Sequence, residues 1–172
     1  MKDSLVPVAA HAAPPSGTVT ASAKPRAASS VARGYPALAG ILLLSALLGA
    51  VRIDNQGLGN AYYAATVKSM LQSWSNFFFV AFDPGGFVSV DKPPVGYWIQ
   101  AASASLFGFS GPALLLPQAV AAVLSVAVLF ATVRRVFGLG AGLVAALALA
   151  LTPVTVATSR NNTVDVTLVL VL

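Results

Sequence analysis

An acid, an amine and two prolines stand side by side in the stretch Gly86–Ala101, at Asp91, Lys92, Pro93 and Pro94. Only 9% of the residues are charged, so such a pair is conspicuous in this chain. A cation beside a carboxylate at a membrane surface suits the binding of an anionic lipid head group. Lys92 is therefore a candidate ligand of a lipid phosphate, and Asp91 a candidate to orient Lys92 or to hold a metal ion. The alternative is an exposed ion pair before a helix, which contributes little to stability.

A second polar stretch, Ser159–Asp165, separates two apolar runs. Asp165 lies at the start of the second apolar run, and an ionisable side chain at the edge of a membrane-spanning helix indicates function. The structural alternative is an acid that favours the positive end of a helix dipole, paired with Arg160. The functional interpretation of Asp165 is favoured over this alternative. Asn161–Thr163 also matches a glycosylation sequon, a short pattern that often arises by chance.

A third group of polar side chains surrounds the predicted helix that begins near residue 60. Its members are Asp54, Asn60, Tyr62, Tyr63 and Asp83. Asp54 is also consistent with a solvated loop acid and Asp83 with a turn former, while the two tyrosines suit anchoring at a membrane interface. For each of these residues the structural interpretation is favoured over the functional one.

Composition places the chain in the membrane class, because 57% of its 172 residues are hydrophobic. The absence of cysteine excludes disulfides and thiolate chemistry. His11 is the only histidine, which argues against a zinc site, so a metal would be a hard cation held by carboxylates. The net charge is +5, but the positive charges lie in the regions expected on the cytoplasmic side of the membrane and do not indicate a nucleic-acid partner.

The hydropathy pattern predicts an all-α, multi-span transmembrane helix bundle. Residues 1–34 are rich in Ala, Ser, Pro and Thr and are expected to be a disordered tail. The expected spans are residues 35–53, 112–133 and 137–158, with a fourth that starts near residue 164. A span needs about 20 residues, so the fourth is cut short. Residues 35–172 are therefore expected to be the N-terminal part of a larger membrane domain.

The basic residues orient these spans. The tail and the Arg134-Arg135 turn are basic, whereas the loop of residues 54–111 and the loop around Arg160 and Asp165 are close to neutral. The positive-inside rule then puts the N-terminus in the cytoplasm and both loops on the outer face. Arg134 and Arg135 are interpreted as a topology signal and not as catalytic residues.

The first outer loop is expected to carry two short amphipathic helices, Asn60–Trp74 and Pro94–Phe107, that lie in the membrane interface. Between them, Asn76–Val80 reads as an apolar plug and Asp83–Gly86 as a turn. The apolar stripes comprise Tyr63, Val67, Met70, Leu71 and Trp74 in the first helix, and Val95, Trp98, Ile99, Ala102 and Leu106 in the second.

Together these stretches resemble the membrane glycosyltransferases that use a polyprenyl-phosphate-linked sugar as donor. This group includes the protein O-mannosyltransferases and the aminoarabinose transferases, and the chain is most similar to a bacterial branch of mannosyltransferases. The resemblance is carried by NAYYAATVKSMLQSW (60–74), NFFFVAF (76–82), VDKPPVGYWIQ (90–100) and SRNNTVD (159–165).

The resemblance implies a bundle of many transmembrane helices whose large first outer loop carries two juxtamembrane helices. It implies transfer of a sugar, mannose or a related hexose, from the lipid-linked donor to a protein, lipid or glycan on the outer face of a prokaryotic plasma membrane. A carboxylate would act as general base, with inversion at the sugar. A cation such as Lys92 would offset charge on the leaving phosphate.

The resemblance also implies roles for single residues. Lys92 and Asp91 would bind the donor phosphate, Asp91 with a divalent cation, and Arg160, Asn60 and Tyr63 would be further substrate ligands. Asp165 matches the family's acid near the fourth span and is the first catalytic candidate. Many relatives carry an acid just before the Tyr-Ala of the first juxtamembrane helix, but Gly59, Asn60 and Ala61 stand there. Asp54 and Asp83 are therefore alternative bases.

A non-catalytic protein is the competing interpretation: a transporter or scaffold segment whose polar loop binds anionic lipid head groups. Helices broken at mid-membrane would favour transport. The second and third spans are interrupted only by Pro117 and Pro153, which favours the enzyme. Taken by itself, this length of chain is expected to be inactive.

Overall fold

The computed structural model describes residues 27–172, and the side chains of residues 34–172. Most of the predicted tail, residues 1–34, lies outside the described residues, and its last part, from Ala27 onward, is already helical. The helices are α1 (Ala27–Ala50), α2 (Ala61–Met70), α3 (Trp74–Phe79), α4 (Pro94–Phe107), α5 (Gly111–Leu151), α6 (Pro153–Ser159) and α7 (Asp165–Val171), with a 3₁₀ turn at Ile53–Gln56.

The all-α class is confirmed for the described part of the chain. Its β pairing amounts to an isolated antiparallel bridge between Ala81 and Ser89. This bridge closes the turn that the sequence predicts at Asp83–Gly86, where the Gly86 N–H donates to the Asp83 carbonyl at 3.0 Å.

Helix α5 reverses direction at Gly138, whose φ of 85° and ψ of 177° are not helical. A straight helix of 41 residues would be about 60 Å long, twice the hydrocarbon core of a bilayer. Residues 130 and 142 would lie about 18 Å apart along such a helix. Instead, a Cβ at Gly142 would lie 3.1 Å from the Phe130 carbonyl oxygen. The predicted turn at Arg134-Arg135 is therefore displaced to Gly138, because glycine adopts a positive φ without strain.

The two halves of α5 pack on each other and on α1. Their shared apolar cluster is formed by Val126, Phe130, Ala146 and Ala150, with α1 side chains such as Leu38 and Leu42 against it. Gly34 of α1 faces Leu139 near the reversal, and Gly49 faces Ala119 and Ser159 at the opposite end. Within residues 27–172, α5 is long and apolar enough to cross a membrane, and Gly34–Ala50 is a shorter apolar helix.

Helices α2, α3 and α4 form a small layer at the end of the bundle away from Gly138. They share a core with the start of α5 and the start of α7, in which Val67, Met70, Tyr97, Leu114 and Val164 are buried. The first predicted helix ends at Met70 instead of Trp74, and the predicted plug Asn76–Val80 mostly lies in α3. Ser73 caps α3 by accepting the Asn76 N–H, which explains the new helix start.

Helix α4 spans the predicted residues, and most of its predicted apolar stripe is exposed, although Trp98 packs on the core and donates to the Phe77 carbonyl at 3.0 Å. The buried face consists of Gly96, Tyr97, Gln100, Ala101 and Ala104. Val95, Ile99 and Leu106 of the predicted stripe are exposed. An outward apolar face on a short helix is typical of a helix that lies in a membrane interface.

Candidate active site

Lys92 and Asp165 meet although 73 positions separate them in the chain. The Lys92 ammonium lies 3.4 Å from a carboxylate oxygen of Asp165. Lys92 precedes α4, in which Pro94 occupies the first turn, and Asp165 opens α7. A proline in the first helical turn loses no hydrogen bond, so this sequence fixes where α4 begins. The two residues are thus positioned by two different helix starts.

The pair is accessible, with the side chains of Lys92 and Asp165 34% and 48% exposed. The Asp165 carboxylate raises the pKa of Lys92 above its ordinary value of 10.5, with smaller contributions from Tyr63 and Asp91. Lys92 is therefore a cation throughout the neutral range. Its partner is Asp165 and not its neighbour Asp91, which corrects the expectation that Asp91 orients it.

Aromatic side chains border the pair. Tyr63 of α2 packs on Tyr97 of α4 with ring centroids 5.8 Å apart, and Tyr62 stacks on Phe82 at 4.6 Å. Tyr97 is fully buried, and its hydroxyl has no hydrogen-bond partner in the described structure. Burial raises the pKa of Tyr97, so its hydroxyl stays protonated. The predicted stripe of α4 does not include Tyr97, because the helical spacing of its apolar residues selects the neighbouring Trp98.

The loop between α6 and α7 is anchored on both sides. An Arg160 guanidinium nitrogen donates to the Leu48 carbonyl at 3.2 Å, near the C-terminus of α1. Arg160 therefore stabilises the unpaired carbonyls of a helix end and does not pair with Asp165. Asn161 and Asn162 both accept the backbone N–H of Asn60, at 3.1 and 2.6 Å. The Asn60 side chain caps α2 by accepting the Tyr62 N–H at 2.9 Å.

Two predicted bases lie apart from the Lys92–Asp165 pair. Asp83 accepts the Val88 N–H at 2.8 Å, and this hydrogen bond lowers the pKa of Asp83. A carboxylate with a lowered pKa is a weaker general base. Asp54 is exposed in the 3₁₀ turn Ile53–Gln56. Asp165 is thus the predicted catalytic carboxylate that the fold brings to Lys92.

The metal hypothesis rests on Asp91, whose side chain is exposed. Within residues 27–172, no three His, Cys, Asp or Glu side chains lie together, so these residues would supply few of the ligands of a metal ion. A hard cation at Asp91 would complete its oxygen shell with waters and substrate phosphate, as Mg²⁺ commonly does.

An apolar groove lies between α4 and α7, directly beside the ion pair. It is lined by Pro93, Val95, Gly96, Val164, Thr167, Leu168 and Val171. A Cβ at Gly96 would lie 2.6 Å from the Val164 side chain, so glycine allows the two helices to approach closely. The groove continues from the charged pair onto the exposed apolar face of α4.

Comparisons with known proteins identify a family and two curated relatives that the chain resembles. Residues 91–172 match the family described as dolichyl-phosphate-mannose-protein mannosyltransferase, a segment that begins at Asp91 and includes Asp165. The chain is 50% identical over 132 residues to "Putative mannosyltransferase YycA" of Bacillus subtilis (strain 168), covering 77% of the chain and 19% of that protein. It is 46% identical over 129 residues to "Putative mannosyltransferase YkcB" of the same strain, covering 75% of the chain and 18% of that protein.

These matches support a glycosyltransferase class at the level of the family, and that family is membrane-associated. Residues 91–172 resemble the mannosyltransferase family named above and both relatives are named as mannosyltransferases, which confirms the resemblance predicted from the sequence. The chain spans about a fifth of the length of both relatives, so the activity and substrates of the whole protein are proposals. No solved structure matches the chain significantly.

Proposed function

We propose that the protein transfers a sugar, mannose or a related hexose, from a polyprenyl-phosphate-linked donor to an acceptor hydroxyl. The observation that carries this proposal is the meeting of Lys92 and Asp165 beside an apolar groove. A lipid-linked sugar needs an apolar surface for its chain, a cation for its phosphate and a base for the acceptor. These three needs match three neighbouring features of the site.

Lys92 would bind the donor phosphate. An exposed ion pair gains little from its Coulomb attraction, because water screens both charges. Asp165 therefore holds Lys92 only weakly, and a phosphate can take its place. Charge-assisted hydrogen bonds to phosphate are short and strong, which favours the exchange. During transfer the same contact would stabilise the charge that develops on the leaving phosphate.

Asp165 would then act as the general base. Once Lys92 turns to the phosphate, the Asp165 carboxylate is free to accept the proton of the acceptor hydroxyl. The acceptor oxygen attacks C1 of the sugar while the bond from C1 to the phosphate oxygen breaks, with inversion. The products are the glycosylated acceptor and the polyprenyl phosphate. A cation at Asp91 would add charge compensation on the same phosphate.

The groove between α4 and α7 would hold the first part of the polyprenyl chain. Its lining is almost entirely apolar, and Thr167 uses its hydroxyl to donate to Gln118. Burial of apolar chain atoms against such a surface is favourable in proportion to the area covered. The exposed face of α4 would guide the remainder of the chain into the bilayer.

The membrane arrangement that goes with this mechanism has, within residues 27–172, three spans formed by α1 and the two halves of α5, the second continued by α6, and α7 would begin the fourth. Arg134 and Arg135 lie near the reversal at Gly138, and the candidate site lies at the opposite end. The positive-inside rule then puts the reversal in the cytoplasm and the site on the outer face of a prokaryotic plasma membrane. The acceptor would be a protein, lipid or glycan of the cell envelope.

To test this proposal, the full-length protein in liposomes is incubated with a radiolabelled polyprenyl-phosphate-linked mannose. We expect release of polyprenyl phosphate in step with labelling of an acceptor extracted from the cell envelope. A control with heat-inactivated protein sets the rate of spontaneous hydrolysis. Binding of the donor without release under these conditions would reject the enzyme and favour a lipid-binding transporter or scaffold.

A further inference from the structure

Asn162 is fully buried and joins three parts of the candidate site. Its side-chain oxygen accepts the Asn60 N–H at 2.6 Å, and its side-chain nitrogen donates to the Asn60 carbonyl at 3.0 Å. The amide therefore pairs with both backbone groups of a single residue, as a neighbouring strand would. Asn60 in turn caps α2, so Asn162 ties the loop before α7 to the start of α2.

Helix α4 is tied to the same residue. Gln100 is fully buried and donates from its side-chain nitrogen to the Asn162 carbonyl at 2.9 Å. Asp165 follows Asn162 by three positions, and Lys92 stands just before the start of α4. The backbone that carries the carboxylate and the backbone that carries the cation thus meet at Asn162.

Gly59 lies against the Asn162 side chain, where there is no room for a larger residue. Its φ of 73° is positive, and a Cβ there would lie 2.7 Å from the side-chain oxygen of Asn162 and 3.0 Å from that of Asn161. Gly57, in the same loop, also has a positive φ, of 62°, but has no atom within 4 Å of its Cβ position. Both glycines have a positive φ, and of the two only Gly59 is in contact with the asparagines.

We propose that Asn162 is a positioning residue that sets the separation of Lys92 and Asp165 for sugar transfer; this inference rests on the proposed function. The ion pair is half-exposed and cannot fix its own geometry, since exposed pairs contribute little. Buried hydrogen bonds are costly to break, because a buried polar group left without a partner loses its hydration as well. The Asn60–Asn162–Gln100 contacts are therefore the stronger constraint on the site.

The test compares Gly59→Ala with Gly57→Ala. Both positions have a positive φ, but of the two only a Cβ at residue 59 would clash with Asn162. Residues 1–172 contain no cysteine, so Val95→Cys and Leu168→Cys place the two thiols of this part of the chain across the groove between α4 and α7. Their rate of oxidative cross-linking reports the spacing of the two helices without involving Lys92 or Asp165. We expect Gly59→Ala to change this rate and Gly57→Ala to leave it close to that of the parent.

Transfer kinetics give the second measurement. In Gly59→Ala we expect kcat per folded molecule to fall at least about tenfold relative to Gly57→Ala, since misplacement of reacting groups by about 1 Å can cost a hundredfold. The KM for the donor should change little, because Lys92 remains at the start of α4. Asn162→Ala should behave like Gly59→Ala where it folds. A purely structural role would reduce the amount of folded protein and leave kcat per folded molecule intact.

The outcomes separate the two proposals. Equal cross-linking rates and equal kcat in Gly59→Ala and Gly57→Ala would overturn the positioning role, whatever the activity of the parent protein. A changed cross-linking rate with a lowered kcat supports it. If Gly59→Ala changes the cross-linking rate but the parent protein shows no transfer, the proposed function is rejected. Asn162 would then position the two helices without a role in catalysis.

Discussion

At one end of the bundle, the Arg134 guanidinium lies over the rings of Tyr35 and Phe130, 5.6 and 5.7 Å from their centroids. At the other end, the Lys92 ammonium faces the Asp165 carboxylate at 3.4 Å. A cation over aromatic rings helps to hold helices together without a counter-ion. A half-exposed cation beside a carboxylate can exchange that partner for a phosphate. The same kind of charge is thus structural at one end and available for chemistry at the other.

The side chains that join the helices also differ between the two ends, being apolar near Arg134 and polar near Lys92. Near Gly138 the helices meet through apolar side chains such as Phe130 and Leu139. Near Lys92 they meet through the buried amides of Asn162 and Gln100, and the buried Tyr97 hydroxyl is left without a partner. Buried polar groups are costly and are commonly kept where function needs them. The difference directs mutational tests to the Lys92 end for activity and to the Arg134 end for stability.

The largest expected effect is that of Asp165→Asn on transfer. Asn keeps the shape of the side chain but accepts no proton, so kcat should fall by at least about a hundredfold, the usual contribution of a general base. Initial rates with saturating donor measure this change. Asp54→Asn is the matched control and should retain activity near that of the parent, because Asp54 lies apart from Lys92. Loss of activity in Asp54→Asn alone would move the base to Asp54.

Lys92→Ala should have the next largest effect, through donor binding. Loss of a charge-assisted contact should lower kcat/KM by about ten- to a hundredfold, mainly by raising KM. Lys92→Arg should be milder but not neutral, because a planar guanidinium and a compact ammonium contact phosphate differently. Donor titrations in matched liposomes measure both variants. Unaltered donor kinetics in Lys92→Ala would remove Lys92 from the site.

Arg134→Gln should affect stability and leave transfer unchanged. The substitution removes the contacts with Tyr35 and Phe130, which should cost about 0.5–2 kcal/mol of stability. Thermal unfolding in detergent measures the loss. Arg135→Gln is the control, because Arg135 is exposed and should cost less. If both variants unfold at the same temperature as the parent, the aromatic contacts do not hold this end together.

The smallest effect is expected from pH. The pKa of Lys92 is raised above 10.5, so its charged form is complete below that value and is lost only as pH rises through the raised pKa. Donor binding should therefore show no lysine titration between about pH 6 and about pH 9. Binding of radiolabelled donor across this range is the measurement. A loss of affinity that begins near pH 8 and is absent from Lys92→Arg would contradict the raised pKa.

The sequence predicts much of this fold because its signals are local. Long apolar runs, Pro94 in a first turn and the Asp83–Gly86 turn each act within a few residues, and the helices and the turn that they predict are confirmed. The position of the reversal at Gly138 depends on how two long helices pack, so the charge of Arg134 and Arg135 alone misplaced it. The predicted stripe of α4 is mostly exposed, as its expected place in a membrane interface requires, whereas the buried face that includes Gly96, Tyr97 and Gln100 has no apolar period that the sequence could show.

The candidate site was only partly accessible from sequence. Lys92 and Asp165 stand out because charge is scarce, but no local pattern shows that they contact each other across the fold. Asn162 was set aside with a sequon match, and its buried amide pairing with Asn60 requires the tertiary structure. Tyr97 looks like an ordinary core aromatic until its unpartnered hydroxyl is seen. Contacts between distant segments are what sequence patterns cannot supply here.

Binding of polyprenyl phosphate to Lys92→Ala and Asp165→Asn, measured in one liposome preparation with transfer assayed in parallel, tests the central claim most directly. The account predicts weaker binding in Lys92→Ala. It predicts equal or tighter binding in Asp165→Asn, because the substitution frees Lys92 from its counter-ion, together with loss of transfer. Weaker phosphate binding in Asp165→Asn, or near-normal transfer by that variant when well folded, would contradict the division of roles between the cation and the base.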